Sequence, residues 1–119
     1  MRRYMFTDKE EASKILRNVA VSKGFHFYRD YHEPTWVVAT SLEDFAAKLR
    51  KMDLRSVEFH FNHQDFNNWV NDVVVDYALF RSICYIDKEA YGEDLRMQLI
   101  KIFDDRIKEL REIVINSQK

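Results

Sequence analysis

His60 and His63 stand three residues apart in the run His60-Phe61-Asn62-His63-Gln64-Asp65, with Glu58 just upstream. On a continuous helix two imidazoles at this spacing share a face. Two ring nitrogens and a carboxylate oxygen make a donor set for a divalent metal, with Asp65 as the candidate third ligand. The spacing differs from the i, i+4 histidine pair of a zinc-protease helix. The competing expectation is a half-buried His60 hydrogen-bonded to the chain, with Asn62 and Asp65 capping the next helix. His60, His63 and Asp65 are therefore weak metal candidates, and no metal or other cofactor is expected.

Covalent chemistry has less to build on. Cys84 lies in Ser82-Ile83-Cys84-Tyr85-Ile86, an apolar setting that suits a packed, inert thiol. Ser41 and Ser56 read as helix-start residues. The acidic pairs Glu43-Asp44 and Asp104-Asp105 fall on charged helix faces. With only Gly24 and Gly92 in the chain there is no glycine-rich phosphate loop. No catalytic residue is assigned, and the chain is expected not to be an enzyme.

Binding chemistry is better supplied. Phe25, Phe27, Tyr28 and Tyr31 offer faces on which bases stack, and Lys48, Arg50, Lys51 and Arg55 form a basic cluster behind them. Glu43, Asp44 and Asp53 interrupt that cluster. The chain's 19 basic and 20 acidic residues give a net charge of -1, so nucleic-acid binding is the alternative reading, with Lys48, Lys51 and Arg55 as its residues. The preferred reading is a protein-interaction module. Nine Phe, six Tyr and two Trp are many for 119 residues. Tyr31, Trp36, Tyr4 and Phe6 are candidates for an exposed patch, and the C-terminal helix is a second surface through which a homo-oligomer can form.

These side chains need a scaffold, and the composition sets its size. At 119 residues, 46% hydrophobic and 33% charged, the chain suits one domain over 1–119. No apolar run approaches the roughly 20 residues of a membrane span. The basic start Met1-Arg2-Arg3 lacks the apolar stretch of a signal peptide, and a single Cys fits a reducing cytosol. A cytoplasmic, non-membrane protein is expected.

Few Gly and Pro point to helices, and the expected class is all-α: a compact multi-helix bundle with a long C-terminal helix. Helices are expected near 8–23, 42–51, 54–62, 65–74, 76–84 and 93–116. Thr7 and Glu10 suggest a capping box, and Gly24 a left-handed helix end. Ser41, Asp53, Asp65 and Asp76 mark later starts. Residues 25–40, aromatic and β-branched around Pro34, read as a hairpin or, preferably, an extended segment packed on the helices. Phe45, Leu49, Phe59, Phe66, Trp69, Leu79, Phe103 and Ile107 are the expected core.

Three segments then carry a resemblance: Ser41-Leu42-Glu43-Asp44-Phe45, Ser56-Val57-Glu58-Phe59-His60 and Asp65-Phe66-Asn67-Asn68-Trp69-Val70. Together they resemble domain of unknown function family 5752, a group of uncharacterised archaeal and bacterial proteins. Phe25-His26-Phe27-Tyr28, Leu95-Arg96 and Arg106-Ile107 extend the resemblance over roughly residues 20–112. It implies a mostly helical fold and no particular activity. Where members carry Arg-Gly before the Asp-Phe pair this chain has His63-Gln64, and where they open the next helix with Gly-Asp it has Val75-Asp76.

Overall fold

Asp8 opens the first helix with a reciprocal cap: its side chain accepts from Glu11 N–H while the Glu11 carboxylate accepts from Asp8 N–H. The box therefore sits one residue later than the sequence suggests. In this computed structural model, which describes residues 7–116, α1 is Lys9–Ile15 and ends well short of residue 23. Tertiary hydrogen bonds claim the chain beyond it. Arg17 donates to the carbonyls of Val73 and Val74, and Val19 N–H donates to Thr40 O. A 3-10 turn, Val21–Lys23, then leads into strand β1, Phe25–Asp30, which pairs antiparallel with β2, Glu33–Ala39.

This sheet corrects the expected all-α class. The chain is mixed α/β, mainly helical at 64%, with a two-stranded antiparallel sheet. Alternation explains why the segment is a hairpin: Phe25 and Phe27 are buried while His26 and Tyr28 face outward. Gly24 is not a left-handed helix end. Its φ is -71°, and its role is close approach, since a Cβ there would lie 2.7 Å from the Ala39 carbonyl oxygen.

Five more helices and a wide turn complete the fold. Helix α2 is Leu42–Leu49, α3 Leu54–Asn62, α4 Asp65–Trp69, α5 Tyr77–Cys84 and α6 Gly92–Asn116; a π-turn, Val70–Val74, continues α4. Ser41, Asp53 and Asp76 cap α2, α3 and α5 through their side chains, as their types suggest. Ser56 sits in the first turn of α3 but does not cap it; it lies buried there, and Asp53 is the cap. Asp65 does not cap α4, whose first turn follows Gln64 in a left-handed conformation.

Phe45 is the centre of the core. It stacks on Phe103 at 4.5 Å and on Trp69 at 5.6 Å, with Phe25, Phe27 and Phe66 around it. Of the expected core, Phe59 and Ile107 are only half-buried: Ile107 packs at the rim, and Phe59 turns towards the hairpin. Helix α6 lies against α1, α2, α3 and α5. From it Arg96 donates to the Leu49 and Met52 carbonyls at the end of α2, and Arg106 makes a two-pronged pair with Asp76 at 2.8 and 3.0 Å. Both members of that pair are largely withdrawn from water.

Two of these features give stability predictions. Arg106→Met strands a buried carboxylate and should cost about 3–5 kcal/mol in denaturant unfolding; a loss within about 1 kcal/mol would show that the pair is dispensable. Val75 is exposed and ends the π-turn at φ 64°. A β-branched residue is strained in that region. Val75→Gly should raise the unfolding free energy by about 1 kcal/mol, after the entropic cost of glycine.

Candidate functional site

The aromatic residues of the hairpin are held in place by α3. His60, only 4% exposed, points its ring under β1 among Phe25, Phe27 and Phe66. Its Nε2 accepts from Tyr28 N–H at 2.8 Å, and its Nδ1 lies 2.8 Å from Asp65 Oδ2. An amide can only donate, so Nε2 must carry the lone pair and Nδ1 the proton, which goes to Asp65. One turn on, His63 repeats the pattern at the surface. Its Nδ1–H donates to Phe59 O, and its Nε2 accepts from the Tyr31 hydroxyl, both at 2.6 Å.

The same geometry bears on the three metal candidates. His60 and His63 face different surroundings, and both outer lone pairs are taken by the hairpin. No group of three metal-ligating side chains occurs among the described residues. Asn62 and Asp65 are also reassigned: Asn62 ends α3, exposed, and Asp65 fixes the His60 tautomer.

Tyr31 and Trp36 are both exposed, at 66% and 86%. Tyr31 is nonetheless fixed: its ring stands edge-on to Phe59, 5.3 Å away, and its hydroxyl is anchored on His63. Trp36 owes its position to the backbone. Between the pairs His26↔Val38 and Tyr28↔Pro34, β1 advances two residues and β2 four, so β2 bulges around Thr35-Trp36-Val37. The Thr35 hydroxyl pins the bulge, donating to Phe27 O at 2.8 Å and accepting from Val37 N–H at 3.1 Å. Trp36 sits there at φ 67°, an uncommon conformation for a bulky side chain. Tyr4 and Phe6 lie outside the described residues.

The basic candidates are spread over ion pairs that bind the hairpin to the helices. Lys48 reaches Asp44 and the Val38 carbonyl, Arg55 pairs with Glu33, and Arg29 with Asp53; Lys51 is exposed. Asp44 and Asp53 are held below the usual carboxylate range. At Asp44 burial opposes this, and the bonds from Lys48 and Thr40 outweigh it. At Asp53 the Arg55 N–H and the Arg29 guanidinium are the cause.

Two surface cavities matter here. One, of about 350 Å³, lies beside the hairpin and is lined by Phe25, Tyr28, Tyr31, Phe59, Asp30 and Asp65 together with three histidines. The other, of about 320 Å³, holds Asn62, Gln64, Asn67 and Cys84. Cys84 is exposed, correcting the expected buried thiol, and Asn67 donates to its sulfur at 3.2 Å. Sequence reading also missed Tyr77, Arg81 and Tyr85. They form an exposed row along α5, with the guanidinium over both rings, and the i, i+4, i+8 spacing was the signal. No helix of the described residues is long and apolar enough to cross a membrane.

Comparison with known proteins brings no match: no family model, no curated protein and no solved structure matches this chain.

The buried imidazole makes stability depend on pH. Burial pushes the His60 pKa below its ordinary 6.5; Asp65 opposes the shift and His63 adds to it. The unfolded chain therefore binds this proton more tightly than the folded one. The contribution is present above about 6.5 and is lost as pH falls through the lower folded value. Denaturant unfolding at pH 7.5 and pH 5 should show the native chain losing more stability on acidification than His60→Gln. Equal losses would remove His60 from this role.

Proposed function

We propose that this chain is a protein-interaction module that works by binding, without turnover, and that the β1–β2 hairpin is its contact face. One observation carries the reading: Trp36, 86% exposed, is held out to solvent in a left-handed conformation by a pinned bulge. The fold gains little from that arrangement and bears its strain, which is the pattern of a residue kept for a contact. Tyr31, anchored by His63, adds a second fixed aromatic ring, and rigid aromatic side chains supply interface area at low entropic cost. The partner is a different protein or a second copy of the chain. The C-terminal helix offers less support as a self-association surface, since its apolar stripe is used against α1, α2, α3 and α5. The nucleic-acid alternative is likewise weakened by the ion pairs of Lys48 and Arg55. A reducing compartment suits the single exposed thiol.

Trp36→Gly separates fold from function. It should raise the unfolding free energy by about 1 kcal/mol, because the left-handed strain is relieved and little packing is lost. Partners captured from cell extract and self-association measured by light scattering would then be compared between the native chain and the variant. An associated species, rebuilt from purified components, should lose about 2 kcal/mol or more of affinity in calorimetry, as an interface anchor does. Affinity indifferent to Trp36, or marked destabilisation by Trp36→Gly, would overturn the assignment.

A further inference from the structure

The cavity beside the hairpin has walls of an unusual kind. Tyr31 and Phe59 stand at 88° with ring centroids 5.3 Å apart, and Tyr28 and Phe25 also line the space. Asp30 and Asp65 bring carboxylates to it, and neither Lys nor Arg lines it. Each carboxylate is positioned by the protein: Asp30 Oδ1 accepts from Tyr31 N–H at 2.8 Å, and Asp65 Oδ2 from His60 Nδ1–H. Arg55, the nearby guanidinium, is closer to Glu33 at 3.4 Å than to Asp30 at 4.0 Å.

From these walls we infer that the cavity binds a methylated ammonium group. Aromatic faces set at right angles attract a cation through their quadrupoles, and carboxylates at the margin add to the field. A bare metal ion needs three or more converging donors, and no such group occurs among the described residues; the outer lone pairs of His60 and His63 are engaged by Tyr28 N–H and the Tyr31 hydroxyl. An unmethylated ammonium is strongly hydrated and needs acceptors for three protons. A trimethylammonium group has no proton to donate, sheds its water readily and presents a diffuse charge to the rings. The anchoring of Tyr31 on His63 means the main wall stands ready before the ligand arrives. Resting on the interaction reading above, the group is carried by a side chain of the partner, a methylated lysine.

The test uses the full chain and NMR titration of the Tyr31 and Phe59 ring signals with choline. Its neutral isostere, 3,3-dimethyl-1-butanol, and a short peptide containing trimethyllysine are titrated alongside. Choline should saturate and bind at least tenfold tighter than the neutral alcohol. Tyr31→Leu, at an exposed position, should weaken choline at least tenfold with the thermal transition unchanged; Phe59→Leu should do the same wherever it stays folded. Asp30→Asn should weaken choline severalfold and leave the alcohol unaffected. Tighter binding of the peptide than of choline assigns the group to a partner's side chain, and the reverse assigns it to a free small molecule. Equal binding of choline and the alcohol, or no saturable response, overturns the proposal. A Trp36-dependent complex that persists without any choline response defeats this inference alone. Choline binding without such a complex defeats the interaction reading alone.

Discussion

A two-stranded hairpin cannot hold itself together in water, so everything exposed on it depends on how it is fastened to the helices. The main fastening is the neutral ring of His60. It occupies the space between β1 and α3, takes the Tyr28 N–H on one side and gives its proton to Asp65 on the other. A side chain that only donated, or only accepted, would leave one of those polar groups buried without a partner, at a cost of about 1–3 kcal/mol. The ring also touches Phe25, Phe27 and Phe66, so the polar link and the aromatic core meet at one residue. Arg29–Asp53 and Arg55–Glu33 support the hairpin at its margin, where solvent screening leaves each pair a smaller share.

Around this link the molecule divides its labour. The interior is conventional: stacked and edge-on aromatic rings about Phe45, covered by α6. Strain is kept at the surface. His32, Trp36, Gln64 and Val75 all adopt left-handed backbone without being glycine, and all four are exposed. At His32 and Trp36 the strain shapes the hairpin's turn and bulge. At Gln64 and Val75 it ends one helical segment and turns the chain towards the next. Because these side chains make little contact with the core, their conformations are costs that the packing elsewhere offsets.

Local chemistry was legible in the sequence, and competition between local and tertiary bonding was not. Ser41, Asp53 and Asp76 mark helix starts because a short acceptor side chain meets the first free amides whatever surrounds it. The stripe Ile15, Leu16, Val19, Ala20 reads as one long helix, yet Val19 N–H finds Thr40 O, more than twenty residues away, and α1 stops early. The extended segment is plain from its aromatic and β-branched residues, but pairing between its halves hangs on Gly24 and on where the bulge falls. The candidate site shows the same split. Tyr31 and Trp36 stand out by type as exposed aromatics, whereas the two imidazoles invite a metal reading until the hairpin's own donors are seen to occupy them. Phe59 passes for core by helical spacing and is a wall of the surface cavity instead.

Helix α6 sets the order in which the molecule can be finished. It is 25 residues long and follows the other described elements in chain order, yet it covers faces of α1, α2, α3 and α5, and it supplies the arginines that close α2 and cap the buried carboxylate before α5. On the ribosome those earlier helices emerge with their apolar sides uncovered. At a synthesis rate of ~5–20 residues per second, α6 takes roughly one to five seconds to follow them. During that interval the nascent chain carries its hairpin aromatics and its unfinished core side by side. Until α6 arrives, the apolar faces it covers stay open to chaperones and to misassembly.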